Sequence, residues 1–233
     1  MTSPEGALFA RLRESCAADW ERYVEHPFVR GLADGTLPQA SFRHYLVQDY
    51  LFLRHFARAY ALAAFKADTL DDMRSAAASL SALVDAEMGL HVTYCSDWGL
   101  DEAAMAATPE SAACVSYTRY VLDRGMAGDL LDLLAALAPC VMGYGEIGRR
   151  LMAGPASRRD ANPYARWIET YGGEDYQDLC AAAAAQLDAV ALRRCGPDIL
   201  AGRGARWDSL AATFAAATRL EAAFWQMGLD RSC

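Results

Sequence analysis

The stretch Leu130-Leu131-Asp132-Leu133-Leu134-Ala135-Ala136-Leu137-Ala138-Pro139-Cys140-Val141-Met142-Gly143-Tyr144 is apolar at almost every position. Its alanines and leucines favour a helix, and nothing in it alternates with the period of a strand. A helix that is apolar on every side belongs in a core. Pro139 interrupts this one, because a proline inside a helix removes a backbone hydrogen bond and bends the chain. The bend falls beside a thiol, and Tyr144 follows Cys140 by one turn on the same helix face. Most buried cysteines only fill space. Cys140 becomes a candidate nucleophile through the residues that accompany it elsewhere.

Helical spacing of this kind runs through most of the 233 residues, without hairpin signals or period-two stretches. Ser3-Pro4-Glu5 reads as a cap and acidic first turn. The helix it opens runs to about Tyr23, with Leu8, Leu12, Cys16 and Trp20 inward, and His26-Pro27-Phe28 breaks it. Further helices are expected over Gln39–Lys66, Leu70–Trp98, Glu110–Gly125, Gly128–Gly154, Tyr164–Thr170, Gly173–Cys195 and Ala205–Leu229. No linker or repeat divides them. The expectation is an all-α multi-helix bundle, one domain over residues 1–233.

A net charge of −8 disfavours a nucleic-acid surface. Arg149, Arg150, Arg158 and Arg159, around a Gly-Pro turn, read as a solvated helix end. Seven cysteines without Cys-x-x-Cys spacing suit neither a disulfide framework nor a zinc site. A reducing cytoplasm is the expected compartment, with no secretory leader. The longest apolar run contains Asp132 and reads as too short to span a bilayer.

Asp49 shares a helix face with Phe52 and Phe56, so it is either a carboxylate aimed into an aromatic interior or a surface acid in an ion pair. Glu221 poses the same alternative, with Phe224 and Trp225 one turn on and Arg219 as its surface partner. Burial would raise its pKa and suit it to proton donation. Tyr117, Tyr120, Tyr144 and Tyr171 are candidate wall residues, and Gly172-Gly173 permits an unusual backbone beside Tyr171. Glu87 and His91 have the spacing of half a helical metal site, but no second Glu-x-x-His completes it. Phosphate-loop, dinucleotide and Gly-x-Ser-x-Gly motifs are absent.

Several segments in order resemble the TenA (thiaminase II) family, a branch of the haem-oxygenase-like all-α fold. They are His26-Pro27-Phe28-Val29-Arg30-Gly31 with Asp34-Gly35-Thr36-Leu37, then Gln48-Asp49, Glu87-Met88-x-Leu90-His91 and Ser116-Tyr117-Thr118. Leu137-Ala138-Pro139-Cys140 with Tyr144-x-Glu146-x-Gly148, Trp167-Ile168-x-Thr170-Tyr171-Gly172-Gly173 and Glu221-x-x-Phe224-Trp225 follow. The resemblance implies hydrolysis of 4-amino-5-aminomethyl-2-methylpyrimidine, with thiamin as a second substrate, by a cytoplasmic homotetramer that needs no cofactor. It implies that Cys140 is the nucleophile and that Glu221 exchanges a proton with the ring. It also implies that Asp49 accepts from the amino edge, that Tyr144 and Tyr171 orient substrate and Glu221, and that Tyr117 forms wall.

One departure stands out. Phe52 occupies the position where many relatives carry a tyrosine that helps the cysteine, which shifts thiol activation toward Tyr144 or the substrate. Phe224 is expected beside it in the pocket. The competing readings are a non-catalytic pyrimidine-binding or regulatory protein and a divergent oxidase or quinone-cofactor synthase of the same fold. The first lacks a DNA-binding motif, and the others lack the required ligands.

Overall fold

Asp129 starts the helix around which the others assemble. In the computed structural model, which describes residues 6–154 and 161–233, its carboxylate accepts from the backbone N–H groups of Leu131 (2.9 Å) and Asp132 (3.2 Å). The Asp132 carboxylate returns the bond to the Asp129 N–H at 2.8 Å. This reciprocal cap satisfies donors that an α-helix start leaves open. The helix runs from Leu130 to Met152, beyond the quoted stretch. At that length it could cross a membrane, contrary to the sequence expectation, but 94% of its apolar window is buried inside the fold.

The described residues form α1 (Ala7–Ser15), α2 (Ala17–Val24), α3 (Pro27–Asp34), α4 (Gln39–Lys66), α5 (Leu70–Ala82), α6 (Met88–Ser96), α7 (Glu102–Ala107), α8 (Ala112–Ala127), α9 (Leu130–Met152), α10 (Ala165–Gly172), α11 (Glu174–Cys195) and α12 (Trp207–Asp230), with no strand among them. A π turn, Leu83–Glu87, joins α5 to α6, and a 3₁₀ turn, Pro197–Ala201, follows α11. Helix α9 packs against α8, α10, α11 and α12, and α4 lies against α5, α6, α8 and α12.

The expected all-α architecture is what forms, with differences at breaks that carry no proline or glycine. The first expected helix is divided at Cys16, whose φ of −129° leaves the helical region. The third is divided by the π turn, and α7 was not expected at all. The fourth begins at Ala112 because the Ser111 hydroxyl caps the Cys114 N–H at 3.2 Å. His26 and Pro27 start α3, with His26 Nδ1 accepting from the Phe28 N–H. The Ser3-Pro4-Glu5 cap and the loop residues Arg158 and Arg159 lie outside the described residues.

Glycines set how closely neighbours approach α9. A Cβ on Gly143 would sit 2.2 Å from the Tyr23 ring, and one on Gly148 would sit 2.3 Å from the Tyr171 backbone carbon. The Gly172-Gly173 pair serves the same purpose. Neither residue adopts a positive φ, contrary to the unusual backbone expected there, but a Cβ on Gly172 would sit 2.2 Å from Met152. Gly148→Ala should therefore push α10 off α9 and cost about 1–3 kcal/mol of stability. A urea midpoint equal to that of the unmodified chain would show that the two helices tolerate the extra methyl.

Candidate active site

Helix α4 is buried from Tyr45 to Leu53, so its polar residues must find partners inside. Asp49 is 4% exposed. Its Oδ2 accepts from the Tyr45 hydroxyl at 3.0 Å and lies 2.7 Å from His91 Nε2. His91, on α6, is also buried, and its Nδ1–H donates to the Glu87 carbonyl at 2.9 Å. A carbonyl only accepts, so Nδ1 carries a proton and Nε2 is left to Asp49. Burial works against charge on the imidazole, but the hydrogen bond and charge of Asp49 prevail and raise its pKa. Glu87 and His91 thus meet through a backbone carbonyl rather than as side-by-side ligands.

Glu221, on α12, is 2% exposed. The Tyr117 hydroxyl of α8 donates to its Oε1 at 2.8 Å, and the Cys140 thiol lies close enough to the same carboxyl for each to shift the other's pKa. Arg219 pairs with Asp19 at 3.0 Å instead, so the surface reading of Glu221 does not apply. Burial lifts the Glu221 carboxyl to about 8, the Tyr117 bond opposing it in part. Burial also pushes the Cys140 thiol well up, as do the nearby Glu221, Glu87 and Asp49 carboxyls. Cys140 accordingly rests as a thiol and needs an acceptor for its proton.

A cavity of about 740 Å³ opens among α4, the π turn, α9, α10 and α11. Asp49, Glu87, Cys140, Tyr144, Tyr171 and Tyr176 are on its wall. Glu221, Tyr117, Phe52 and Phe224 lie off the wall, with Glu221 and Tyr117 buried within electrostatic reach of Cys140. The Phe52 ring lies 5.0 Å from Tyr117 and 5.4 Å from Phe224, with no hydroxyl to offer the thiol. Tyr144 contacts the Tyr45 hydroxyl at 3.3 Å, and Tyr171 donates to Glu87 Oε1 at 3.0 Å. Neither phenol bonds Glu221, so the orienting contact expected of them belongs to Tyr117.

Three members of this network escape sequence reasoning as site residues. Tyr45 carries a signal, one turn before Asp49 on the same helix face. Glu87 and His91 were visible as half a metal pattern and as a segment of the family resemblance but were given no role in the site, because the contact that engages His91 spans 42 residues.

The sequence pattern of the TENA/THI-4/PQQC family matches residues 13–231. The chain belongs to this family. A Silicibacter crystal structure described as a TenA family transcription regulator superposes with a TM-score of 0.93 at 49% identity, covering 98% of this chain and 99% of that one. An uncharacterized Haemophilus influenzae protein is 44% identical over 96% of this chain and 99% of its own length. An aminopyrimidine aminohydrolase of Halalkalibacterium halodurans is 33% identical over 95% of each chain. The fold is haem-oxygenase-like, as in a Shewanella denitrificans domain so described (TM-score 0.70, 15% identity, 95% and 92% covered).

Within this TenA-type network the Glu221 titration has a measurable consequence. The folded carboxyl keeps its proton up to about pH 8, whereas an ordinary glutamate loses it near 4.5. Between those values the unfolded chain binds fewer protons, so stability falls as pH rises. Glu221→Gln should flatten the decline of Tm with pH across that window. An unchanged slope would mean that Glu221 is ionised in the folded chain.

Proposed function

We propose that the chain is an aminopyrimidine aminohydrolase of thiaminase II type, acting on 4-amino-5-aminomethyl-2-methylpyrimidine and also cleaving thiamin. The observation that carries this reading is a thiol at a cavity wall beside a buried carboxyl, Glu221, whose pKa burial raises to about 8. The name of the 33% identical relative supports it. Asp49 uses only Oδ2 for Tyr45 and His91, which leaves Oδ1 to accept from the amino edge of the ring. Tyr144 and Tyr171, edge to face with centroids 4.9 Å apart, supply surfaces for a flat heterocycle.

In this mechanism the Cys140 sulfur adds to the ring carbon beside the substituted one. Its proton passes to Glu221 as Glu221 delivers a proton to the ring nitrogen. The exocyclic amine, which enters as an ammonium, then leaves as ammonia with the C–N electron pair, giving an exocyclic methylene. Water adds its hydroxyl to that carbon and gives up a proton to the medium. The ring expels the thiolate, and the ring proton returns through Glu221 to sulfur. The net change replaces the amine with a hydroxyl, and the chain is restored.

Proton transfer through Glu221 assigns the acceptor that Phe52 cannot provide. The reading extends to a cytoplasmic homotetramer. Unpaired cysteines and exposed apolar side chains such as Phe65 and Met126 support it.

Ammonia release from the aminomethylpyrimidine tests the proposal. The unmodified chain should release it, and Cys140→Ser should lower kcat by about 10³-fold or more, with the ring still bound. Activity that survives the substitution removes Cys140 as the nucleophile. A chain inert toward both this compound and thiamin would leave a binding or regulatory role in place of catalysis.

A further inference from the structure

The proposed ring orientation, on which this inference rests, also fixes where the leaving group goes. In the pyrimidine the departing substituent sits on the carbon between the amino-bearing carbon and the carbon that sulfur attacks. With the amino edge on Asp49 and the attacked carbon at Cys140, that substituent projects into the cavity the two residues share. Glu87 lines the same cavity, within electrostatic reach of both residues. It is held from two directions, its Oε1 accepting from Tyr171 and its backbone carbonyl accepting from His91. Oε2 has no partner.

The charge along the cavity is one-sided. Asp49, Glu87, Glu169, Glu174 and Asp175 line it, and among the described residues no lysine, arginine or histidine does. Glu174 and Asp175 occupy the first turn of α11, where their charges cancel the attraction that a helix N-terminus offers an anion. The cavity is also several times larger than one pyrimidine ring needs, so there is room for a substituent beyond the exocyclic carbon.

We infer that Glu87 is a specificity-determining residue that receives a cationic leaving group, so that the chain takes ammonium-bearing, unphosphorylated pyrimidines and rejects phosphate esters. A primary amine on such a methylene is protonated at neutral pH, and Glu87 Oε2 accepts from it in a charge-assisted bond. Burial raises the Glu87 pKa, and an adjacent ammonium restores the carboxylate. It follows that the reaction supplying this substrate is one that leaves the pyrimidine without phosphate, either a dephosphorylation or a cleavage of an unphosphorylated parent.

Equilibrium binding in a Cys140→Ser background, where turnover is stopped, separates the possibilities. The cationic ligand is the aminomethylpyrimidine, the neutral one is the hydroxymethyl product, and the anionic one is the phosphate ester of that product. Adding Glu87→Gln should weaken the cationic ligand by about tenfold or more and the neutral one by less than about twofold. The glutamine still accepts from Tyr171, and the neutral ligand reports on whether the pocket has formed. With Glu87 intact, the phosphate ester should bind at least about tenfold more weakly than the alcohol. Equal losses for cation and alcohol in Glu87→Gln would overturn the assignment, as would a phosphate ester that binds as well as the alcohol. Both results leave the hydrolase reading standing. If neither the amine nor the alcohol binds and the unmodified chain releases no ammonia, the hydrolase reading fails and this inference with it.

Discussion

Enclosing α9 on every side is the constraint from which the rest of the structure follows. Six helices approach it, and glycines at 143 and 148 let Tyr23 of α2 and Tyr171 of α10 come within contact of its backbone. The same enclosure leaves Cys140 facing a cavity rather than solvent. Polar side chains on neighbouring helices are then buried too, and each has to satisfy its hydrogen bonds with another. Tyr45, Asp49 and His91 do so as one group, and Tyr117 and Glu221, beside Cys140, as a second.

The two groups suit different tasks because their environments differ. Asp49 has an imidazole and a phenol beside it, so its position is fixed while one oxygen stays available. Glu221 has only a phenol and a thiol, neither of them cationic, and its proton is retained into the range where enzymes work. The rings of Phe52 and Phe224 pack 5.4 Å apart, and Glu221 is 2% exposed.

Much of this arrangement was legible in the residues alone. The spacing in Leu130–Tyr144 gave a core helix, and the proline marked where its thiol stands. Asp49 and Glu221 were recognisable as acids beside aromatics, but spacing along one helix is silent about partners on another. The competing surface readings fell only when Arg219 was found on Asp19 and His91 on Asp49. The break at Cys16 and the π turn at Leu83–Glu87 carry no proline or glycine, so local propensity offers no sign of them.

That π turn has an implication for how the site could be gained or lost. A π turn amounts to one residue inserted into an α-helix, and each α-helical residue advances the chain by about 100° around the axis. Everything after Glu87 is therefore out of phase with α5 by that angle. His91 faces Asp49 only because of this offset. Deleting a single residue between Leu83 and Glu87 would give a smoother helix and rotate the imidazole away from its carboxylate. The less regular helix is the one that closes the network, and a lineage that repaired the irregularity would trade the pocket for helical continuity.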